Sequence, residues 1–201
     1  MRKKLDCLLG FLILLLSFAA QAGEFCHNVS LLIRLGDKKS CYQGHAGVGL
    51  DDEYYDWGPS DDTKSDFFYY LLGDKGQPYE DIRMRSDFTR KDLATVDDIR
   101  RSLSGPLNIC AAYEVRIRVN EEEAALLKYY WDFIYEKRPY FHIFKNQCTN
   151  IAFSSLKYAG LFNHGRVVLL PKTLLKKAQQ ELVSTCGKEK GQPAKIYQLK
   201  K

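Results

Sequence analysis

Residues 44–59, GHAGVGLDDEYYDWGP, have the pattern of a β-hairpin. Apolar residues alternate with histidine and glycine from residue 45 to residue 50, two aspartates follow, and aromatic residues occupy much of 54–57. Alternation with a period of two is typical of a strand with two different faces. A short acidic turn between two such runs predicts a hairpin. We therefore expect two antiparallel strands, with His45 on a face that is otherwise glycine.

The length of the turn decides which residue lies beside His45. A turn with an even number of residues makes Gly47 oppose Asp56, so the aspartate is one diagonal step from the histidine. A turn with an odd number of residues would place Trp57 there instead. We favour Asp56, because a carboxylate can hold an imidazole in one tautomer and stabilise its cation. An aspartate that simply faces solvent is the alternative.

Residues 144–160, FKNQCTNIAFSSLKYAG, place a cysteine where a helical repeat begins. The repeat ends at a glycine, Gly160, which is a common helix stop. One face of the predicted helix carries Ile151, Ser155, Leu156 and Ala159. The helix should therefore begin close to Cys148.

The start of a helix favours a reactive thiol. Cys148 would lie among unpaired backbone N–H groups and at the positive end of the helix dipole, which stabilises a thiolate. The same N–H groups, with the side-chain amide of Gln147 or Asn146, could hold the oxyanion that forms when a thiolate attacks a carbonyl. A buried, inert cysteine is the alternative interpretation.

A thiol nucleophile needs a base, and the chain has four histidines. His27 lies next to the expected mature N-terminus, and His164 lies in a segment typical of a loop. His142 is six residues before Cys148 and stays open as a base. We favour His45, since glycines in a strand often mark the close approach of a ligand or another backbone. A histidine that only hydrogen-bonds within the sheet is the alternative.

The first 22 residues have the features of a secretory signal peptide. Basic residues at positions 2–4 precede an apolar run at 8–20, and Ala20-Gln21-Ala22 supplies small residues for cleavage. A membrane anchor is the weaker interpretation, because a spanning helix needs about 20 apolar residues. We expect an exported protein, periplasmic or extracellular, without an integral membrane anchor after cleavage.

Five of the six cysteines remain once this leader is removed: Cys26, Cys41, Cys110, Cys148 and Cys186. An odd number in an oxidising compartment is most simply satisfied by two disulfides and one free thiol. The preferred pairing joins Cys26 to Cys41 in a short loop. It also joins Cys110 to Cys186, which would tie the C-terminal tail to the body. Cys148 is then the free thiol, and an intermolecular disulfide is the alternative.

The rest of the chain predicts one α+β domain at 23–187 and a loose basic tail at 188–201. The other predicted elements are strands at 29–35 and 113–119 and helices at 89–103, 120–137 and 171–182. The net charge of +5 is dispersed, so nucleic acid is not an expected partner. No metal-ligand spacing and no phosphate loop occurs in the sequence, so no metal or cofactor is expected.

The segments GHAGVGLDDEYYDWGP and YFHIFKNQCTNIAFSSLKYAG resemble the circularly permuted papain-like enzymes. These comprise permuted NlpC-type peptidases and lecithin retinol acyltransferase-like proteins, in which the histidine precedes the cysteine. The resemblance covers residues 44–182. It implies a permuted papain-like fold, with a small antiparallel sheet packed against helices. It also implies that Cys148 is the nucleophile and His45 the general base; the third position stays open, and Asp56 is the candidate that the hairpin register offers.

The resemblance also implies a reaction, namely hydrolysis of an amide through a thioester. The acyltransferase branch often has a second histidine on the return strand, and none occurs here between His45 and His142. This departure favours a peptidase or amidase that acts on cell-wall peptide, with peptidoglycan or a peptide as partner. A lipid acyltransferase or thioesterase is the alternative, with DFFYYLL at 66–72 contacting an acyl chain. A second alternative is a binding or inhibitor module that is stabilised by disulfides and has no catalytic activity.

Overall fold

The computed structural model describes residues 25–36, 44–57, 95–106, 108–137, 146–163, 165 and 168–201. Several sequence-based predictions fall outside these residues. They concern the leader at 1–22, the aromatic stretch at 66–72, the residues at 89–94, Cys41, His142 and His164.

The described residues form one five-stranded sheet in which every neighbouring pair of strands is antiparallel. The strands are β1 (His27–Arg34), β2 (His45–Leu50), β3 (Glu53–Tyr55), β4 (Ala112–Val119) and β5 (Lys195–Lys200). Their order across the sheet is β3-β2-β1-β4-β5. The predicted α+β class, with a small antiparallel sheet packed against helices, is confirmed.

Four α-helices accompany the sheet in the described part of the chain. They are α1 (Val96–Ser104), α2 (Glu121–Lys137), α3 (Cys148–Tyr158) and α4 (Pro171–Glu181). Asn120 caps α2 as predicted, because its side chain accepts the N–H of Glu123 and the Glu123 carboxylate accepts the N–H of Asn120. Within these residues, no helix has both the length and the apolar character that crossing a membrane requires.

One face of the sheet carries the main hydrophobic core, on which α2, α3 and α4 pack. Trp131, Phe153 and Leu174, one from each helix, are at most 2% exposed. Burying a large apolar side chain contributes about 1.5–3 kcal/mol. This core fixes α3 directly against β2. The strands contribute Val29, Leu31, Ile33, Val48, Val115 and Ile117.

The opposite face of the sheet is covered by α1. Val96 packs there with Leu32 and Tyr54. The residue before the helix, Thr95, forms an antiparallel bridge with Glu53. Two elements that are distant in sequence, the hairpin and α1, are thereby joined directly.

A buried carboxylate on this face binds α1 to the sheet. Glu114 is 1% exposed and accepts hydrogen bonds from Ser30 Oγ at 2.8 Å, from Arg100 Nε at 2.9 Å and from Arg116. Burial would raise the pKa of Glu114, but these donors outweigh it and hold the pKa below its usual range. A buried charge is tolerated here because it is paired and fully hydrogen-bonded.

The C-terminal segment differs from the prediction of a loose basic tail. Residues 195–200 form β5, whose Ile196 lies opposite Val115 of β4. The Arg116 guanidinium lies 4.8 Å from the centroid of the Tyr197 ring. The lysines of this segment obscured its β-forming residues, and the outer edge of β4 offers backbone groups that a further strand can satisfy.

The predicted disulfide pairing is wrong. Cys26 is bonded to Cys186, with 5.7 Å between their Cα atoms and a sequence separation of 160. Cys110 is also disulfide-bonded, to a partner outside the described residues.

Pairing within the sheet explains the Cys26–Cys186 disulfide. Thr185 donates its N–H to the Arg118 carbonyl at 2.8 Å, and Arg118 pairs with Asn28 near the start of β1. Cys186, which follows Thr185, therefore lies beside Cys26, which precedes β1.

Candidate active site

The β2–β3 hairpin has the even turn that the favoured register requires. Leu50 pairs with Glu53 across the two-residue turn, and Asp51 adopts a positive φ of 52° within it. The same register, continued one step past the end of β3, puts Asp56 opposite Gly47. The two carboxylate oxygens of Asp56 lie 2.5 and 2.6 Å from His45 Nε2. Asp56, and not Trp57, is therefore the residue that contacts His45.

The surroundings of the His45 imidazole favour its cationic form. Burial would lower the pKa of His45, but the Asp56 carboxylate and the Cys148 thiolate raise it well above its ordinary value. Nε2 faces Asp56, so the other ring nitrogen, Nδ1, is the one that remains for the thiol. The carboxylate thus fixes both the charge and the orientation of the ring.

Cys148 is the first residue of α3 and is a free thiol, 6% exposed. Its Sγ atom contacts Gln147 Oε1 and Thr149 Oγ1, each at 3.8 Å, and both His45 and the backbone N–H of Ala46 act to lower the pKa of the thiol. Burial would raise the pKa of the thiol, but the charge and the hydrogen bond of His45 outweigh burial, and the pKa lies below its ordinary value. The helix start contributes in the same direction. Both shifts favour the thiolate and imidazolium forms of the pair.

These contacts bring together the three residues that the sequence singled out. α3 supplies Cys148, the first residue of β2 supplies His45, and the chain just after β3 supplies Asp56. The site thus combines a thiol, an imidazole and a carboxylate, a set of groups that can support nucleophilic catalysis of acyl transfer.

Gln147 and Asn146 immediately precede the helix. The side-chain amide nitrogen of Gln147 donates to the Leu169 carbonyl, and its oxygen lies 3.8 Å from Cys148 Sγ. In this orientation the amide oxygen, which can only accept, faces the thiol, so the Gln147 amide does not present a donor to an oxyanion there. Gln147 makes no side-chain cap to α3, so its amide does not compete for the first N–H groups of the helix. Asn146 lies in the bend before the helix and is partly buried.

The glycines around His45 mark close approach, as predicted, and other parts of the same chain are what approach them. A Cβ at Gly47 would lie 2.1 Å from Tyr54 Oη, and a Cβ at Gly49 would lie 2.4 Å from Val96 Cγ2. At Gly44 the nearest atom would be Pro171 Cγ, at 2.6 Å. These glycines permit close packing around the histidine.

Tyr54 is a residue at this site that sequence reasoning missed. Its hydroxyl donates to Asp56 Oδ2 at 3.4 Å. Burial, with the nearby charges of Asp56 and Cys148, raises the pKa of Tyr54 well above its ordinary value. The signal was present in the sequence, because residues two apart in a strand share one face.

His27 is engaged at the opposite end of β2. Its Nδ1 lies 2.7 Å from Asp51 Oδ2, and its Nε2 lies 2.7 Å from Glu121 Oε2. These two carboxylates occupy both ring nitrogens, so the ring has none left for a thiol. Among the described residues, no group of three or more His, Cys, Asp or Glu side chains could hold a metal ion.

No protein-family model matches this chain, and no curated protein or solved structure matches it either. The resemblance to permuted papain-like enzymes therefore rests on the hairpin and on the helix that begins at Cys148.

Proposed function

We propose that the protein is an exported cysteine hydrolase with a permuted papain-like fold, which cleaves an amide bond through a thioester. The observation that carries this proposal is the pairing of His45 with Asp56 next to a free thiol, Cys148, whose pKa His45 lowers. A free cysteine whose thiol pKa is lowered by a histidine, at the start of a helix, is characteristic of catalytic thiols rather than structural ones.

The reaction follows from these groups. The Cys148 thiolate attacks the carbonyl carbon of the substrate, and the oxyanion that forms accepts hydrogen bonds from N–H groups at the start of α3. The His45 imidazolium donates its proton to the leaving amine, and a thioester remains on the sulfur. His45, now neutral, takes a proton from water, which attacks the thioester and releases the acid. Asp56 stabilises the imidazolium before and after the reaction.

The proposed substrate is a peptide amide of the cell wall. Two observations favour it, namely the secretory leader in the sequence and the carboxylate that takes the third position where the acyltransferase branch often has a histidine. A carboxylate in that position favours the peptidase or amidase side of the resemblance. The substrate class is an argument by analogy.

The test uses the mature protein with intact disulfides. Release of new amino groups from purified peptidoglycan is measured beside release of fatty acid from phospholipid vesicles, with Cys148→Ala as the control. We expect amine release that Cys148→Ala abolishes. Activity on phospholipid alone would change the proposed substrate from a peptide to a lipid and leave the proposed roles of the site residues in place.

Thiol reactivity separates an enzyme from an inert module. Iodoacetamide at pH 6 should modify each chain once, at Cys148, because only a thiolate reacts rapidly. A binding or inhibitor module would show neither modification at that pH nor activity on either substrate.

A further inference from the structure

Tyr54 lies within the candidate active site, where its hydroxyl contacts the Asp56 carboxylate. It is 6% exposed, and its hydroxyl donates to the Asp56 oxygen Oδ2 at 3.4 Å. Asp56 binds His45 through the same carboxylate, with Oδ1 at 2.5 Å from Nε2. Tyr54 therefore hydrogen-bonds to the carboxylate that binds His45, and it is also close enough to Cys148 for the charge there to raise its pKa.

The position of this hydroxyl depends on Gly47. The Tyr54 ring crosses the sheet surface above Gly47, where a Cβ would lie 2.1 Å from Oη, 2.4 Å from Cζ and 2.7 Å from Cε2. Real Cβ atoms do not approach heavy atoms this closely, so any side chain at residue 47 must displace the ring. Gly47 and Tyr54 thus form one unit that directs a hydroxyl towards Asp56.

We propose that Tyr54 is a positioning residue, whose hydroxyl holds the Asp56 carboxylate in the orientation that keeps His45 against Cys148. The Oδ1 oxygen of Asp56 also accepts the backbone N–H of Trp57, at 2.5 Å, so Tyr54 is the added donor at the other oxygen, Oδ2. A donor at each oxygen besides His45 restricts rotation of the carboxylate about its terminal bond, and donors to charged acceptors are the stronger hydrogen bonds. The phenol stays protonated in this surrounding, because its pKa is raised well above its ordinary value. It can therefore donate over the whole working range of pH.

The test is the pH profile of Cys148 alkylation by iodoacetamide in Tyr54→Phe. Without the hydroxyl, Asp56 holds the imidazolium less well, and the imidazolium holds the thiolate less well. We expect the rate constant at pH 6 to fall by roughly 2- to 10-fold, the effect of one net hydrogen bond. The acid limb of the profile should move to higher pH. An unchanged acid limb would overturn the proposal.

Two glycine variants test the same proposal with the hydroxyl still in the chain. Gly47→Ala displaces the Tyr54 ring and should move the acid limb as Tyr54→Phe does. Gly49→Ala is the matched control, because its methyl group meets Val96 and not the tyrosine. It should lower thermal stability and leave the acid limb in place. An equal shift in both glycine variants would assign the effect to packing alone.

A double-mutant cycle shows whether Tyr54 acts through Asp56. Adding Tyr54→Phe to Asp56→Asn should cost little more than Asp56→Asn alone, since the group that the hydroxyl positions is already lost. Full additivity would contradict the proposal. Tyr113→Phe is a control, because it removes a hydroxyl that contacts Gln198 away from the site. It should leave the acid limb of the alkylation profile unchanged.

The proposal rests on the proposed roles of Cys148, His45 and Asp56, but alkylation is independent of the substrate. Failure to release amines from peptidoglycan would refute the proposed function and leave the alkylation profiles interpretable. An unchanged profile in Tyr54→Phe would refute the role of Tyr54 alone.

Discussion

His45 and Asp56 meet across the hairpin, with both carboxylate oxygens within 2.6 Å of one ring nitrogen, Nε2. The pairing is possible because the turn between their strands has two residues, so that Asp56 and His45 share one face of the sheet. It leaves the other ring nitrogen for Cys148. The hairpin therefore determines both the charge and the direction of the base.

Asp56→Asn should impair the site while leaving the fold intact. An amide cannot stabilise the imidazolium as a carboxylate does, so the raised pKa of His45 should fall towards its ordinary value. Activity should fall on the order of 10²- to 10⁴-fold, as when the orienting carboxylate of a catalytic triad is replaced by an amide. Circular dichroism and steady-state rates check this expectation. Wild-type rates in Asp56→Asn would remove the carboxylate from the mechanism.

Cys148→Ala and His45→Ala should each abolish nearly all activity, and the double variant should lose little more. Nucleophile and base act as one unit, so removing either removes the whole step. Amine release from peptidoglycan measures the three variants. Losses that multiply would show that the two residues act separately, and retained activity in His45→Ala would transfer the role of base to another histidine such as His142.

His27 should make stability depend on pH. The hydrogen bond to Asp51 has the largest effect on the pKa of His27, and together with the hydrogen bond to Glu121 it raises that pKa above its ordinary value of 6.5. A raised pKa in the folded state contributes stability that is fully present below the unfolded pKa and is lost as pH rises through the folded pKa. Urea unfolding at pH 5.5 and pH 9 should therefore show a smaller difference in His27→Gln than in the wild type. The contribution of His27 to this pH dependence of the free energy of unfolding should be less than about 1 kcal/mol, since both carboxylates face solvent. The same difference in both proteins would contradict this assignment.

The Cys26–Cys186 disulfide should be a major contributor to stability. It closes a very long loop, which in the chain-entropy model restricts the unfolded state strongly. Cys26→Ser with Cys186→Ser should lower the free energy of unfolding by about 2–5 kcal/mol. Urea titration measures the loss, and mass spectrometry of the non-reduced protein should find a peptide that joins these two cysteines. A joined Cys26–Cys41 peptide would contradict the structure.

Local sequence patterns were sufficient for most of what forms the site. The alternation in residues 45–50 and the paired aspartates of the turn give the register that places Asp56 beside His45. The glycine stop at Gly160 and the apolar face before it give the helix that begins at Cys148. Each of these depends on residues within a few positions of one another, so propensity and periodicity carry the information.

Contacts between distant segments could not be predicted in this way. The partner of Cys26 depends on where the chain after α4 crosses the end of β4, which no local pattern encodes. β5 was missed because its lysines suggested a solvated tail, whereas its stability comes from pairing with β4. The group that approaches Gly47 could not be predicted for the same reason, since only the structure shows that the Tyr54 ring fills the space above it.

The bridge between Glu53 and Thr95 lies at an edge of the sheet, because β3 is an outermost strand of the described sheet. An edge strand exposes N–H and C=O groups that can pair with another chain. Thr95 occupies part of this edge, so the bridge reduces the backbone that the hairpin offers for aggregation.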